Sequence, residues 1–231
     1  MAQKILIDVQ KLHKAFHRDS IEILALDGIS LEVPEGDFVA LMGPSGSGKT
    51  TLLNMMAGID KPTGGVLRVL ETEPSAMSES ELAAWRNRYI GYVFQTFNLI
   101  PVLTAFENVE LPLLLTPLSK AERRKHVLTA LNLVGLTPRI DHYPRQLSGG
   151  EEQRVGIARA IVIDPVLILA DEPTGDLDAH SAQEVMEIFA RLNKEFGKTI
   201  VLVTHDPRAA HYAKTQYHLD KGVIVEPPTH A

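Results

Sequence analysis

The sequence predicts an α/β fold built on a parallel sheet, and three observations support that prediction. The runs Val166–Asp171 and Thr199–Thr204 are almost continuously apolar, which is typical of parallel strands buried on both faces. Segments with a helical pattern lie between the strand-like runs, as in a doubly wound sheet. The chain has 231 residues, which is enough for one sizeable core.

The opening third of the chain differs from this pattern. Lys4–Val9 and Ile29–Val33 are short strand-like runs joined by turns. In the second run apolar and polar residues alternate, which is the period of a half-buried strand. We therefore expect a small antiparallel sheet at the edge of the core.

Two further strands, Phe38–Met42 and Tyr89–Gln95, complete the predicted parallel sheet. The clearest helix runs from about Ala179 to Phe196, because its apolar residues recur on one stripe and Gly197 follows as a stop. That stripe consists of Val185, Ile188, Phe189, Leu192 and Phe196.

The stretch from about residue 95 to 161 is mainly helical and interrupts the alternation. Ser119 and Glu122 within it have the spacing of a capping box, which starts a helix. We interpret this stretch as an inserted helical subdomain. The prediction is a single domain, 1–231, in which about 1–94 and 162–231 form the catalytic core with its β subdomain and about 95–161 form the helical subdomain.

Composition and charge exclude several classes of protein. The chain contains no Cys, so it has no disulfides and no thiolate metal sites. The formal net charge is -6 and no basic stripe is visible, so we expect no nucleic-acid partner. The basic run Arg123–Lys125 is interpreted as a solvated helix face. No apolar run has the length of a membrane helix, so we expect any membrane role to come through a partner.

A glycine-rich loop follows the strand Phe38–Met42 and precedes a helical pattern. The loop matches the phosphate-loop motif and reads Gly43, Pro44, Ser45, Gly46, Ser47, Gly48, Lys49 and Thr50. Its glycines let backbone N–H groups converge on a phosphate at a helix N-terminus. Lys49 adds a positive charge at the β- and γ-phosphates, and the Thr50 hydroxyl can bind Mg²⁺. The predicted ligands are therefore ATP and Mg²⁺.

Two adjacent acids, Asp171 and Glu172, stand at the end of the apolar strand Val166–Asp171. The carboxyl ends of strands are where α/β sheets bind ligands. Asp171 is placed to hold the Mg²⁺ shell and Glu172 to polarise the attacking water. The alternative is that the acids cap a following helix. A P-loop kinase or a GTPase would share all of these parts.

The segment 147–154, Leu-Ser-Gly-Gly-Glu-Glu-Gln-Arg, resembles the signature of ABC ATPases, which is Leu-Ser-Gly-Gly-Gln in most members. Four other positions stand in the order that this family expects. They are an aromatic for adenine stacking at Phe16, the Q-loop at Gln95, the D-loop at Gly175–Asp178 and the switch histidine His205. The resemblance runs from about Ile5 to Val225. It implies a P-loop NTPase with a RecA-like parallel core, a small antiparallel β edge subdomain and an inserted helical signature subdomain.

The resemblance also implies roles for individual residues. The residues that it implies bind ATP are Phe16, Gly43, Pro44, Ser45, Gly46, Ser47, Gly48, Lys49, Thr50 and Thr51. Glu172, His205 and Gln95 are implied as catalytic, with Thr50, Gln95 and Asp171 at the Mg²⁺ and Asp178 in the D-loop. Simpler alternatives stay open, since Phe16 can be a core residue, His205 an ordinary loop residue and Gln95 structural.

Ser148, Gly149 and Gly150 are implied to contact ATP held by the other subunit of a dimer. Ser148 also has the spacing to form a capping box with Glu151. Glu151 departs from the usual Gln and brings a carboxylate to this helix start. It would repel ATP if it pointed inward, whereas pairing within the capping box would turn it away.

The resemblance further implies a homodimer, or a pair with a like cassette, that closes around two ATP molecules. A membrane permease would dock near Gln95–Val109, at the cytoplasmic face of the membrane. That segment is rich in apolar residues, and the alternative is that these residues form the subdomain core. The motifs around Gln95 and Glu172 look most like the lipoprotein-releasing, macrolide-exporting and cell-division branch, which usually has Asn at the position of Asp176.

Lipoprotein release or export is therefore the first interpretation. Signalling to cell-wall enzymes is the runner-up from a different functional class. A soluble ABC ATPase acting on DNA or ribosomes is a further alternative, against which the acidic charge and the single cassette stand.

Overall fold

Nine strands and seven α-helices form in residues 4–18 and 21–226, which are the residues that the computed structural model describes. The strands are β1 (Ile5–Arg18), β2 (Ile21–Pro34), β3 (Phe38–Met42), β4 (Gly64–Val69), β5 (Ile90–Val93), β6 (Leu167–Asp171), β7 (Thr199–Thr204), β8 (Thr215–Asp220) and β9 (Val223–Val225). The helices are α1 (Lys49–Met56), α2 (Glu79–Tyr89), α3 (Ala105–Glu110), α4 (Lys120–Leu133), α5 (Gly149–Ile161), α6 (Ala179–Lys194) and α7 (Pro207–Ala210). The chain divides into a first unit, Met1–Ala83 with Thr199–Ala231, and a second unit, Ala84–Lys198.

The antiparallel sheet of the first unit has the strand order β2-β1-β4. It confirms the predicted antiparallel subdomain, but β1 and β2 each have 14 residues and extend well beyond the predicted runs. The pairing of β1 with β2 shifts register at several places, for example between Val9 and Leu12. Each shift breaks the alternation of apolar and polar residues, so the pattern hides the true length of the strands.

The first unit also contains a mainly parallel sheet. β3 lies between β7 and β8 and is parallel to both, with Phe38 opposite Ile200 and Val39 opposite Thr215. β9 pairs with β8 in the antiparallel sense. All residues of β3 and β7 are buried, which is why their apolar runs predicted both strands with the correct bounds.

The second unit pairs β5 with β6 in parallel, with Ile90 opposite Leu167 and Val93 opposite Ala170. Three of its helices begin at a capping box, formed by Thr104 with Glu107, Ser119 with Glu122 and Ser148 with Glu151. Residues 95–161 contain α3, α4 and α5, and their interpretation as an inserted subdomain stays a prediction.

Helix α6 forms where the apolar stripe predicted it, and Val185, Phe189 and Leu192 are buried. The prediction that Phe196 belongs to this stripe is wrong, because the helix ends at Lys194 and the Phe196 side chain is exposed. Gly197 adopts a positive φ of 64° and ends the helical segment as predicted.

The basic run in α4 is partly solvated. Arg124 and Lys125 are exposed, whereas the Arg123 Nε lies 2.9 Å from an Oε1 atom of Glu110 in a half-buried ion pair. Within residues 4–18 and 21–226, no helix is both long enough and apolar enough to cross a membrane.

Candidate functional site

The phosphate loop connects β3 to α1, and its glycines adopt conformations that other residues rarely reach. Gly43, Gly46 and Gly48 have φ values of 143°, 78° and 99°. A Cβ atom on Gly43 would lie 2.0 Å from the Leu219 carbonyl oxygen, and one on Gly48 would lie 2.6 Å from the Ala25 carbonyl oxygen. No atom lies within 4 Å of a Cβ on Gly46. The loop is therefore packed tightly at both ends and open in the middle.

Lys49 begins α1 and its side chain is buried inside the loop. Its Nζ atom donates to the carbonyl oxygens of Gly43 and Pro44, each at 2.8 Å. The N-cap residue is Gly48, which has no side chain that could cap this helix. A positive charge and the N–H groups at the start of a helix thus occupy the same loop, which is the arrangement that binds phosphate.

The remaining loop residues differ in exposure. Pro44, Ser45 and Thr50 are exposed, Thr51 is half-buried, and Ser47 is buried with its N–H donating to the Pro44 carbonyl oxygen at 3.3 Å.

Phe16 lies on β1 and is 42% exposed, so it is not the core residue that the simpler alternative proposed. The Lys14 Nζ atom lies over its ring, 4.7 Å from the centroid. That ammonium group is held by the Asp60 carboxylate at 2.6 Å and the Lys61 carbonyl oxygen at 2.8 Å. Phe16 therefore presents an accessible ring whose position is fixed by a buried cation.

His205 follows the last residue of β7 and is exposed. The next residue, Asp206, caps α7 by accepting from the Arg208 N–H at 2.8 Å, and its own N–H donates to the Thr204 hydroxyl at 3.0 Å. The neighbours of His205 on both sides are thus fixed by hydrogen bonds.

Asp171 and Glu172 stand at the carboxyl end of β6 in the second unit, and both are half-buried. Glu172 has a φ of 44°, a left-handed conformation that is uncommon for a residue other than glycine and that is often found at active sites. Burial, together with the Asp171 carboxylate, raises the pKa of Tyr92 well above its usual range. The end of β6 therefore carries an acidic residue with a strained backbone, Glu172, next to the negatively charged Asp171.

Gln95 reaches the loop that follows Glu172. Its Nε2 atom donates to Asp176 Oδ1 at 3.4 Å, and a Cβ on Gly175 would lie 3.1 Å from the same nitrogen. The structure thus brings together the Q-loop and the D-loop segment that the sequence singled out separately.

Asp178 acts as the N-cap of α6. One carboxylate oxygen accepts from the N–H groups of His180 at 3.0 Å and Ser181 at 3.1 Å, and the other accepts from the Ser181 hydroxyl at 2.6 Å. The hydrogen bonds from Ser181 are the main reason that the pKa of Asp178 is lowered. Its role in a D-loop stays a prediction.

The signature segment forms the start of α5, with Ser148 as the N-cap. The Glu151 N–H donates to the Ser148 hydroxyl at 3.2 Å, and the Ser148 N–H donates to Glu151 Oε2 at 2.8 Å. A Cβ on Gly150 would lie 2.6 Å from the Ser181 hydroxyl, whereas one on Gly149 would meet nothing closer than 3.8 Å. Ser181 therefore leaves no room for a side chain at position 150, whereas position 149 has room for a Cβ atom.

The carboxylate of Glu151 is occupied on both oxygens. In addition to the capping box, Oε1 accepts from Arg139 Nε at 2.8 Å. Arg139 first, and then the Ser148 N–H, lower the pKa of Glu151. Of the two orientations left open by the sequence, the structure supports the one in which the capping box holds the carboxylate.

The sequence analysis missed Gln153 and Arg159 on α5. Gln153 is completely buried and donates to the carbonyl oxygens of Phe94 and Pro173, and Arg159 donates to those of Phe97 and Asn98. Helical spacing was the available signal, because Gln153 lies four residues before the buried Ile157.

The residues predicted at the Mg²⁺ are chemically suited to it. Thr50, Asp171 and Gln95 offer hydroxyl, carboxylate and amide oxygens, which are the hard donors that Mg²⁺ prefers. Mg²⁺ keeps several waters and needs few protein ligands. In the part of the chain that the structure describes, no group of three or more His, Cys, Asp or Glu residues could hold a metal ion.

Comparison with known proteins gives consistent results. The family model described as ABC transporter matches residues 26–175. The lipoprotein-releasing system ATP-binding protein LolD of Legionella pneumophila is 44% identical over 89% of this chain and 91% of that protein. The macrolide export ATP-binding/permease protein MacB of Syntrophobacter fumaroxidans is 47% identical over 95% of this chain, which spans 31% of that protein.

A solved structure with a similar fold is that of the ATP-binding cassette MJ0796 of Methanocaldococcus jannaschii, described as a dimer in a post-hydrolysis state bound to ADP and phosphate. It has a TM-score of 0.89 and 42% sequence identity, and the match covers 95% of this chain and 97% of that one.

The two ends of the phosphate loop should tolerate a side chain less well than its middle. Gly46→Ala should lower the free energy of unfolding by about 1 kcal/mol, the cost of the left-handed conformation alone. Gly43→Ala should cost at least about 2 kcal/mol more, because its Cβ collides with the backbone of β8. Urea unfolding of both variants measures the difference, and equal stabilities would contradict the packing described for Gly43.

The Arg139–Glu151 pair predicts a pH-dependent stability. The folded protein lowers the pKa of Glu151 below its ordinary value of 4.5. The pair therefore stabilises the fold fully above pH 4.5, and this contribution is lost as the pH falls from 4.5 through the lowered pKa of the folded state. Arg139→Ala should therefore cost about 1 kcal/mol at neutral pH and progressively less in acid. Urea unfolding over a pH series measures this cost.

The control for that prediction is Glu151→Gln, which removes the titrating group. In this background Arg139→Ala should change stability little at any pH. A cost that stays the same in acid, or that persists in the Glu151→Gln background, would show that Arg139 acts through another partner.

Proposed function

Because this chain belongs to the ABC transporter family, we propose that two copies of it, or one copy and a like cassette, hydrolyse ATP to drive a separate membrane permease. The chain is an ATPase, as its family and its cassette relatives are. The observation that carries the proposal is the phosphate loop, with Lys49 buried among its carbonyl oxygens at the start of α1.

ATP binding is assigned to the first unit's loop and aromatic residue. Lys49 would exchange its contacts with the Gly43 and Pro44 carbonyl oxygens for the β- and γ-phosphates, and the loop N–H groups would hold the β-phosphate. Phe16 would stack on the adenine, which its exposed ring allows. Thr50, Asp171 and Gln95 would hold Mg²⁺, which when bound neutralises developing phosphate charge.

Hydrolysis is assigned to Glu172 with Gln95 and His205. Glu172 would accept the proton of the attacking water, which its position at the end of β6 favours. Gln95 would orient the water, and its contact with Asp176 already links it to the loop after Glu172. His205 would donate a hydrogen bond to the γ-phosphate.

Dimerisation is proposed from the signature segment. Ser148, Gly149 and Gly150 start α5, and the positive end of a helix favours an anion such as the γ-phosphate of ATP bound to the partner copy. Glu151 does not oppose this arrangement, because its charge is paired with Arg139. The dimeric state of the cassette relative supports this proposal. Asp178 would lie in the D-loop of the same interface.

The permease is proposed to dock on the segment Gln95–Val109. Part of this segment is core, since Ala105, Asn108 and Val109 are buried, but Ile100 is 40% and Val102 is 77% exposed. Exposed apolar side chains of this kind are suited to a protein partner. The similarity to LolD and MacB favours a permease for lipoprotein release or macrolide export, which would place this chain at the cytoplasmic face of the membrane.

The partner can be identified by co-purification. Tagged Glu172→Gln protein would be isolated from its native cells with ATP and Mg²⁺ in mild detergent, with and without prior cross-linking, and bound proteins identified by mass spectrometry. The proposal is supported if a permease co-purifies with this protein and no longer does so when Val102→Asp is introduced. Only soluble partners or ribosomes, even after cross-linking, would favour a soluble ATPase, and a cell-division permease would favour signalling to cell-wall enzymes.

The assignment of Glu172 predicts a separation of binding from turnover. Glu172→Gln should bind ATP with unchanged affinity, lose hydrolysis by about 100-fold or more and accumulate as an ATP-bound dimer. Lys49→Ala is the contrasting variant and should lose ATP affinity itself. Fluorescent-nucleotide binding, phosphate release and size-exclusion chromatography measure the three properties. Hydrolysis by Glu172→Gln at the parent rate would rule out Glu172 as the general base.

A further inference from the structure

The side chain of Gln153 joins the two loops that carry Gln95 and Glu172. It lies on α5 and is 0% exposed. Its Nε2 atom donates to the Phe94 carbonyl oxygen at 3.1 Å and to the Pro173 carbonyl oxygen at 2.7 Å. Phe94 immediately precedes Gln95, and Pro173 immediately follows Glu172. One amide group therefore fixes the backbone next to both residues.

The orientation of this amide is determined by its partners. Two carbonyl oxygens accept from it, so the NH₂ group must face them and Oε1 must point away. Within the described residues that oxygen is buried and has no hydrogen-bond partner. Burying an unsatisfied acceptor opposes folding, but an apolar residue of similar shape would leave the Phe94 and Pro173 carbonyl oxygens without this donor. The amide is therefore kept, despite the cost at Oε1, by the hydrogen bonds that it makes to the two loops.

Arg159 holds the same loop from a position further along α5. Its Nη1 and Nη2 atoms donate to the carbonyl oxygens of Asn98 at 2.7 Å and Phe97 at 2.9 Å. Phe97 and Asn98 have φ values of 55° and 50°, a left-handed conformation that costs free energy for residues other than glycine. Charge-assisted hydrogen bonds to both carbonyl oxygens offset that cost. The chain is thus held by α5 before and after Gln95.

We propose that Gln153 and Arg159 are positioning residues that make α5, Gln95 and Glu172 move as one body. This inference rests on the proposed function, because α5 begins at Ser148, the proposed contact to ATP on the partner copy. A displacement of α5 when two copies close is then transferred to Gln95 through Phe94 and Phe97. It is transferred to Glu172 through Pro173. Hydrolysis is coupled in this way to closure of the dimer.

The first test replaces Gln153 by Met, which keeps the length of the side chain and removes both donors. We expect kcat for ATP to fall about 10- to 100-fold, since a misplacement near 1 Å can cost about that much. The ATP Kd should be unchanged, because the substitution leaves the phosphate loop intact. Gln183→Met is the matched control on α6, where Gln183 donates to Glu187, and it should keep the parent kcat.

Hydrogen–deuterium exchange distinguishes positioning from general destabilisation. In Gln153→Met, exchange should increase in 94–98 and 172–176 while the rest of the second unit keeps the parent pattern. A uniform increase, with kcat and the folded fraction falling together, would overturn the proposal. So would a Gln153→Met protein with the parent kcat.

Arg159→Lys provides a second variant in case Gln153→Met does not fold. A lysine ammonium group keeps the charge but cannot match the fork that binds both carbonyl oxygens. We expect a smaller fall in kcat, an unchanged ATP Kd and faster exchange confined to 94–98. Parent kcat in this variant would overturn the role of Arg159. If the parent protein itself hydrolyses no ATP, the proposed function fails, whereas a hydrolysing parent with unaffected variants sinks only this inference.

Discussion

Several backbone N–H groups can converge on one phosphate only if almost no side chain intervenes, and this constraint determines the structure around the phosphate loop. Gly43 lies so close to the Leu219 carbonyl oxygen of β8, and Gly48 so close to that of Ala25 in β2, that neither has room for a Cβ atom. The Gly222 N–H donates to the Ser47 carbonyl oxygen, so the β8–β9 turn also supports the loop. The strands of the first unit therefore hold the loop in one conformation, although its glycines have no side chains to fix it.

The acidic groups near the predicted site are divided between two tasks. Glu151 and Asp178 are bound to helix N-termini. Arg139 and then the Ser148 N–H lower the pKa of Glu151, and the hydrogen bonds from Ser181 lower the pKa of Asp178. A carboxylate held in this way is a cap and is not available for proton transfer near neutral pH. Glu172 instead follows the end of β6 and has a strained, left-handed backbone conformation. The structure therefore separates the acids that build the site from the acid proposed to act in it.

Fully buried elements were predicted well because burial leaves a direct trace in the sequence. β3 and β7 have no solvated face, so their apolar runs give the bounds without ambiguity. β1 and β2 were underestimated because register shifts interrupt the alternation, and such shifts depend on partners that a local pattern does not contain. Phe196 was wrongly assigned to the stripe because it has the right spacing in the sequence, although the helix ends before it at Lys194. The candidate site residues were predicted from motifs. Helical spacing could have indicated that Gln153 is buried, but not which groups it binds, because its two main-chain acceptors are far away in sequence.

Glu151 brings a negative charge to the start of α5, where most ABC ATPases have Gln, and Arg139 compensates that charge. A glutamine there is neutral, and a lone glutamate would place a negative charge where an anion is proposed to bind. Arg139 lies 2.8 Å from the Glu151 carboxylate, so the pair as a whole is again neutral. The capping box uses the other carboxylate oxygen, which leaves the Ser148 geometry as a glutamine would. The positive charge of Arg139 therefore offsets the negative charge of Glu151 at the signature segment. Glu151 considered without Arg139 would wrongly suggest that this helix start binds an anion less well.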